Sequence, residues 1–107
     1  MHKKHLTFSL DLHTVENVRI EFDPAKEKLN LNNHGLSLYL AENLDWPEAL
    51  AWLDVRYHYD EYRYNALVPG GDYLYHVTFI DCGEVYRIIS LRFATFRERR
   101  KYVRDYA

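Results

Sequence analysis

The sequence predicts an α+β domain, with two amino-terminal helices packed on an antiparallel sheet of about four strands and a helix at the carboxyl end. Three observations carry this reading. Asp23-Pro24 and Ser37 each open a helical stretch, and Gly35 stands between them as a stop. From Ala49 the apolar period moves towards two through residues 49–55, 61–68, 73–81 and 84–93, with Gly70-Gly71 and Cys82-Gly83 at the turns. Thr95, with Glu98 three residues later, forms a capping box ahead of a final basic helix.

Taken in chain order, Leu6, Phe8, Leu10 and Leu12 alternate with Thr7, Ser9 and Asp11, which predicts an added edge strand within an amino-terminal extension over residues 1–18. Ile20 and Phe22 follow as a short apolar pair. Asp23 offers its carboxylate to free backbone N–H groups and Pro24 sits where no N–H bond is lost, so a helix runs to about Asn33. Gly35 supplies a left-handed stop. Ser37 caps a second helix to about Leu44, with Leu40, Ala41 and Leu44 inward, and Trp46-Pro47 breaks it. This helix pair lacks the basic flanks of a DNA-reading unit. Further on, Tyr73, Tyr75, Val77 and Phe79 share one strand face opposite Leu74, His76, Thr78 and Ile80, while Arg87, Ile89, Leu91 and Phe93 oppose Ile88, Ser90 and Arg92. The last helix begins near Phe96. Phe96, Val103 and Tyr106 form its expected inner stripe, and Arg97, Lys101 and Arg104 fall on one outer face.

With 107 residues the chain has room for one core, so residues 1–107 read as a single domain with no separate cofactor module and no expected cofactor. An apolar share of 48% and a charged share of 28% place it with globular rather than disordered chains. The lone Cys82 excludes an intramolecular disulfide, and no basic start leads into a long apolar run, so a reducing cytoplasm is the expected home. No apolar stretch approaches the roughly 20 residues of a membrane-spanning helix. His2 and His5 have a spacing known from metal sites but no Cys or carboxylate set beside them, and no metal is expected.

The net charge of -2 hides a segregation. Residues 1–86 hold seven Lys/Arg and fourteen Asp/Glu, whereas residues 87–107 hold seven Lys/Arg and only Glu98 and Asp105. A basic end on an acidic body suits a polyanion or an acidic protein partner, and a helix face turned to water explains it equally well.

Several segments then fall in an order that resembles one known family. They are Phe22-Asp23-Pro24-Ala25-Lys26, Asn30, His34-Gly35-Leu36-Ser37, Ala41, Glu61-Tyr62-Arg63, Arg87-Ile88-Ile89-Ser90-Leu91-Arg92-Phe93-Ala94-Thr95 and Glu98-Arg99-Arg100-Lys101-Tyr102. The set is similar to the BrnT pattern of type II toxins. That resemblance implies a RelE-like fold, an endoribonuclease that cuts RNA and arrests growth, and a BrnA-like antitoxin that binds the toxin and reaches operator DNA through its own domain. A homodimer and a heterotetramer with the antitoxin both stay open.

RNA cleavage without a metal needs a base for the 2'-OH proton, an acid for the leaving 5'-oxygen, and cations for the charge growing on phosphate. At the matched positions Glu61 or His34 suits the base and His34 the acid, because imidazole titrates near neutral pH. Arg63 and Arg92 are the expected phosphate holders, with Arg92 preferred to Arg87 at the scissile group, since opposite strand parity separates the two unless a bulge intervenes. Lys26, Arg87, Arg97, Lys101 and Arg104 are the expected RNA contacts. Plainer roles compete: His34 as a helix-end residue, Glu61 with Arg63 as a surface ion pair, Asp23 as a cap, Lys26 as a solvated side chain, Arg87 as a packed ion-pair partner, and Tyr73 and Tyr75 as sheet residues. The alternative function is a catalytically weakened homologue that binds antitoxin and tunes repression.

Overall fold

Asp23 and Pro24 start a helix for the reasons their chemistry dictates. In the computed structural model, which describes residues 18–55 and 61–106, the Asp23 carboxylate accepts from the Ala25 N–H at 2.9 Å and Pro24 is the first helical residue. Helix α1 spans Pro24–His34 and ends at Gly35, whose φ of 70° is the left-handed stop that a Cβ disfavours. Strand β1, Arg19–Glu21, precedes it. After α1 come two 3-10 segments, Leu38–Asn43 and Trp46–Glu48. Strands β2 (Leu50–Leu53), β3 (Tyr64–Gly70), β4 (Tyr73–Asp81) and β5 (Val85–Phe93) follow, and α2 (Phe96–Asp105) closes the order.

The sheet has the order β1-β5-β4-β3-β2. It is mixed and five-stranded, not purely antiparallel with about four strands: β1 runs parallel to β5, with Arg19 opposite Val85 and Glu21 opposite Arg87. A three-residue strand is too short to show a period, so the apolar residues around Ile20 carried no strand signal. The strand expected at Leu6–Leu12 and the His2/His5 pair lie outside the described residues. The run expected at 61–68 also begins later, at Tyr64, leaving Glu61 and Arg63 just ahead of β3.

The second expected α-helix is the 3-10 segment Leu38–Asn43, with Ser37 capping it through the Tyr39 N–H. Leu38, Ala41 and Leu44 are all buried, and their spacing of three matches three residues per turn rather than 3.6. The inward set is therefore Leu38, Ala41 and Leu44, with Leu40 only partly buried. Glu27 of α1 clamps the segment's start, accepting from the Ser37 hydroxyl and the Leu38 N–H at 2.7 Å each.

The main core lies on the sheet face covered by these segments. Trp46 is wholly buried there, packed edge-on against Phe79 and Tyr86 with its indole N–H on the Ala41 carbonyl at 2.8 Å. Ala66, Val68, Val77, Ile88 and Leu91 complete it. On the opposite face, α2 packs by Tyr102 and Tyr106 over Leu50, Leu67 and Ala94.

Helix α2 has its expected start and an unexpected rotation. Thr95 and Glu98 form the capping box, but Phe96 and Val103, expected to face inward, are each 64% exposed. Polar anchors set the rotation: the Tyr102 hydroxyl donates to the Glu48 carbonyl at 2.7 Å, Tyr106 reaches the Glu48 carboxylate, and Glu98 faces Arg92. Lys101 consequently turns towards the sheet, with its ammonium 5.0 Å from the centre of the Trp52 ring.

Candidate functional site

Strict alternation along β5 would put Arg87 and Arg92 on opposite faces. The register shows otherwise. Leu91 pairs with Val77 and Ser90 with Thr78, yet Ile88 pairs with Phe79, so β5 carries one extra residue at Ile89. Arg87 then stands opposite Ile80 and Arg92 opposite His76, two positions of equal parity on β4. The bulge brings both guanidinium groups to the face that α2 partly covers.

Arg87 sits between two carboxylates. Its Nε donates to Glu21 at 2.9 Å, a contact fixed by the parallel β1–β5 register, and its Nη1 lies 3.9 Å from Glu61. The Glu21 hydrogen bond, with smaller contributions from the charges of Cys82, Glu21 and Glu61, raises the Arg87 pKa. All three side chains remain about half exposed. Glu61 thus lies within ion-pair distance of Arg87. Arg63 is partly buried, and its carbonyl accepts from the Asp54 N–H at 2.8 Å, joining the end of β2 to the start of β3.

Arg92 is held more tightly. Two parallel hydrogen bonds, 2.8 and 3.0 Å, run from its guanidinium to Glu98, and the same carboxylate accepts from the Thr95 N–H at 2.9 Å. Burial pushes the Glu98 carboxyl up, but hydrogen bonds from Arg92 and Thr95 and the charges of His76 and Arg92 outweigh it and hold the pKa down at about 2. His76, buried beneath α2 and edge-on to Trp52, completes this cluster.

His34 and Lys26 meet elsewhere, in a hollow of about 190 Å³ between α1 and the bulge of β5, lined also by Leu29, Asn30, Asn33, Ile89 and Ser90. His34 is the last residue of α1 and is exposed. One side chain builds this hollow: Asn30 donates to the Leu91 carbonyl at 2.7 Å and the Leu36 carbonyl at 2.9 Å, and accepts from the Leu91 N–H at 2.9 Å. Its carboxamide takes the place of a strand neighbour on β5 just where β1 has ended. The expected single cradle therefore appears as separate groups: Lys26 with His34, Glu61 with Arg87, and Arg92 with Glu98. No contact among the described residues joins His34 to Glu61, Arg63 or Arg92.

Arg97, Lys101 and Arg104 do not form the expected outer face. Arg97 and Arg104 are exposed, Lys101 is turned to Trp52 and paired with Asp105 at 3.3 Å, and Arg104 is itself bound to Asp105 at 2.9 Å. Tyr73 and Tyr75 cluster with Phe93, Tyr75 stacked on it at 5.3 Å. Sequence reasoning left Glu27, Asn30 and His76 without structural roles. The signal for Asn30 was a polar residue at a helix position that turns out to be buried, and periodicity over a helix of low apolar content does not show which face that is. His76 lay in an alternating run and read as an ordinary sheet residue.

No cluster of three or more metal-ligating side chains occurs among the described residues, and no helix there is long and apolar enough to cross a membrane. Among curated proteins, none matches the chain. A family model, described as the ribonuclease toxin BrnT of a type II toxin-antitoxin system, matches residues 22–98, which run from the residue before the α1 cap to the Glu98 that closes on Arg92. Asp23, Asn30, the β5 bulge and the capping box all lie inside that span, and the chain belongs to the BrnT family of ribonuclease toxins, whose partners are antitoxins.

Proposed function

We propose that this protein is a metal-independent endoribonuclease that cuts RNA, inhibits translation and is neutralised by a BrnA-like antitoxin in the cytoplasm. The observation that carries it is the hollow at the α1–β5 seam, where a cation and an exposed imidazole, Lys26 and His34, face the same space beside the Ser90 hydroxyl. Lys26 neutralises the phosphate and His34 supplies the proton to the leaving 5'-oxygen. Ser90 and Arg87 flank the bulge and stand opposite Thr78 and Ile80, two residues or about 7 Å apart along β4, so one ribose-phosphate unit bridges the hollow and the Glu61–Arg87 pair. Glu61 takes the 2'-OH proton there. Arg63, and Arg87 through the Nη groups not bonded to Glu21, hold the adjoining phosphate, and attack of the 2'-oxygen on the phosphorus held by Lys26 breaks its bond to the 5'-oxygen that His34 protonates, giving a cyclic phosphate and a free 5'-hydroxyl. Arg92 sits on the same face and reaches phosphate only by exchanging Glu98 for it. Arg97 extends the basic surface for RNA, while Lys101 and Arg104 are held by Asp105.

The second reading, a weakened homologue that engages antitoxin and tunes repression, is favoured by one observation: Arg92 and Arg87 both already hold carboxylates. Purified protein incubated with total RNA and excess EDTA separates the two. The enzyme reading expects cleavage that falls roughly 100-fold or more in His34→Ala and in Glu61→Gln, with unchanged folding by circular dichroism. A folded protein that binds antitoxin and never cuts supports the second, and cleavage abolished by EDTA sinks metal independence.

A further inference from the structure

Helix α2 uses only one side of itself. Tyr102, Tyr106 and Glu98 attach it to the sheet, no residue of the helix is fully buried, and the opposite side keeps Phe96 and Val103 in the open. Seven residues apart, these two fall on one stripe. Between them runs a groove of about 530 Å³ lined by Phe96, Arg99, Arg100, Val103 and Arg104. Arg99 also borders a neighbouring hollow of about 520 Å³ that contains Tyr73 and Phe93, themselves 61% and 47% exposed. Two pairs of large apolar side chains thus stand uncovered around hollows that share Arg99, and exposed apolar groups gathered in this way mark a protein-binding site.

The rim of the groove carries unbalanced charge. Among the described residues no carboxylate lies within ion-pair distance of Arg99 or Arg100, although the chain as a whole is acidic. We propose that this face of α2 is the seat of the antitoxin, through a segment that places an apolar side chain between Phe96 and Val103 and flanks it with carboxylates for Arg99 and Arg100. The assignment rests on the toxin reading. RNA fits the groove less well. Val103 gives a base nothing to stack on, and the guanidinium carbons of Arg99 and Arg100 already lie over the Phe96 ring, 5.5 and 5.8 Å from its centre. An apolar seat with a cationic rim matches an acidic amphipathic peptide segment.

Calorimetric titration of the antitoxin encoded beside this gene into the full chain tests the assignment. The variants are Arg99→Glu/Arg100→Glu and Val103→Asp, with Arg19→Glu/Lys28→Glu as a control of equal charge change to the first. Groove variants are expected to bind at least about 30-fold more weakly, the range of an interface hot spot, while the control stays within about threefold. Thermal melts followed by circular dichroism confirm that each variant is folded. Antitoxin binding unchanged in both groove variants overturns the groove assignment and leaves the toxin reading standing. Loss of RNA binding in those variants with antitoxin binding intact makes the groove a nucleic-acid surface and also overturns it. So does self-association of the wild-type chain that the groove variants abolish while antitoxin still binds. Failure of the wild-type chain to bind the antitoxin at all overturns the toxin–antitoxin reading and the occupant together.

Discussion

The Asn30 carboxamide satisfies both backbone groups of Leu91 and the carbonyl of Leu36, so a substitution there leaves buried polar atoms with nothing to bond. Each such orphan costs about 1–3 kcal/mol. Asn30→Ala is therefore expected to destabilise the fold by roughly 2–4 kcal/mol, read as a lowered denaturant midpoint at unchanged slope. A loss below about 0.5 kcal/mol would show that water replaces the carboxamide freely. Residues whose chemistry is local were legible in the sequence: the Asp23 cap, the Pro24 start, the Gly35 stop and the Thr95–Glu98 box all stand as read. Asn30 was not, because its partner lies 61 residues away and nothing in the neighbouring sequence points to it. The same holds for Glu27, which caps a segment eleven residues on.

At the scale of elements, short-range turn and period signals placed four of the five strands and both α-helices, and long-range pairing decided what they missed. One extra residue at Ile89 reverses the parity of β5 and sets Arg87 beside the face of Arg92, a change invisible without the register of β4. The rotation of α2 likewise follows from Arg92 and Glu48, partners outside the helix. The Arg92–Glu98 pair makes a pH prediction. The Glu98 pKa is pulled from its ordinary 4.5 down to about 2 in the folded protein, so its stabilisation is full above about pH 4.5 and is lost as pH falls through about 2. Glu98→Gln is expected to lower the melting temperature at pH 7, by an amount corresponding to roughly 1–3 kcal/mol, and to differ little from wild type at pH 2. A gap as wide at pH 2 as at pH 7 would exclude this ionic origin.

For the molecule as a whole, the basic end was legible from charge counting, while the division of its cations was not. Lys101 and Arg104 are tied to Asp105, Arg92 to Glu98 and Arg87 to Glu21, so few cations remain uncommitted on a body that is otherwise acidic. Few phosphates can then be neutralised at once. Single-stranded RNA binding is expected to weaken with salt at a log–log slope of about -2 to -3, close to -0.7 for each phosphate held. Lys26→Ala should make that slope shallower by about 0.7, measured by fluorescence anisotropy across a salt series. A slope steeper than about -5 would mean that the whole basic end engages RNA. The candidate site was legible as residue types and not as an arrangement, since Lys26 and His34 come together only because α1 leans on the bulged strand. That lean also covers part of a sheet edge. Among the described residues no strand pairs with β5 on its outer side beyond Arg87, and an uncapped edge is a template on which other chains can anneal. A single carboxamide occupies the rung at Leu91, so the asparagine that ties α1 to the sheet also withdraws one donor and one acceptor from that edge.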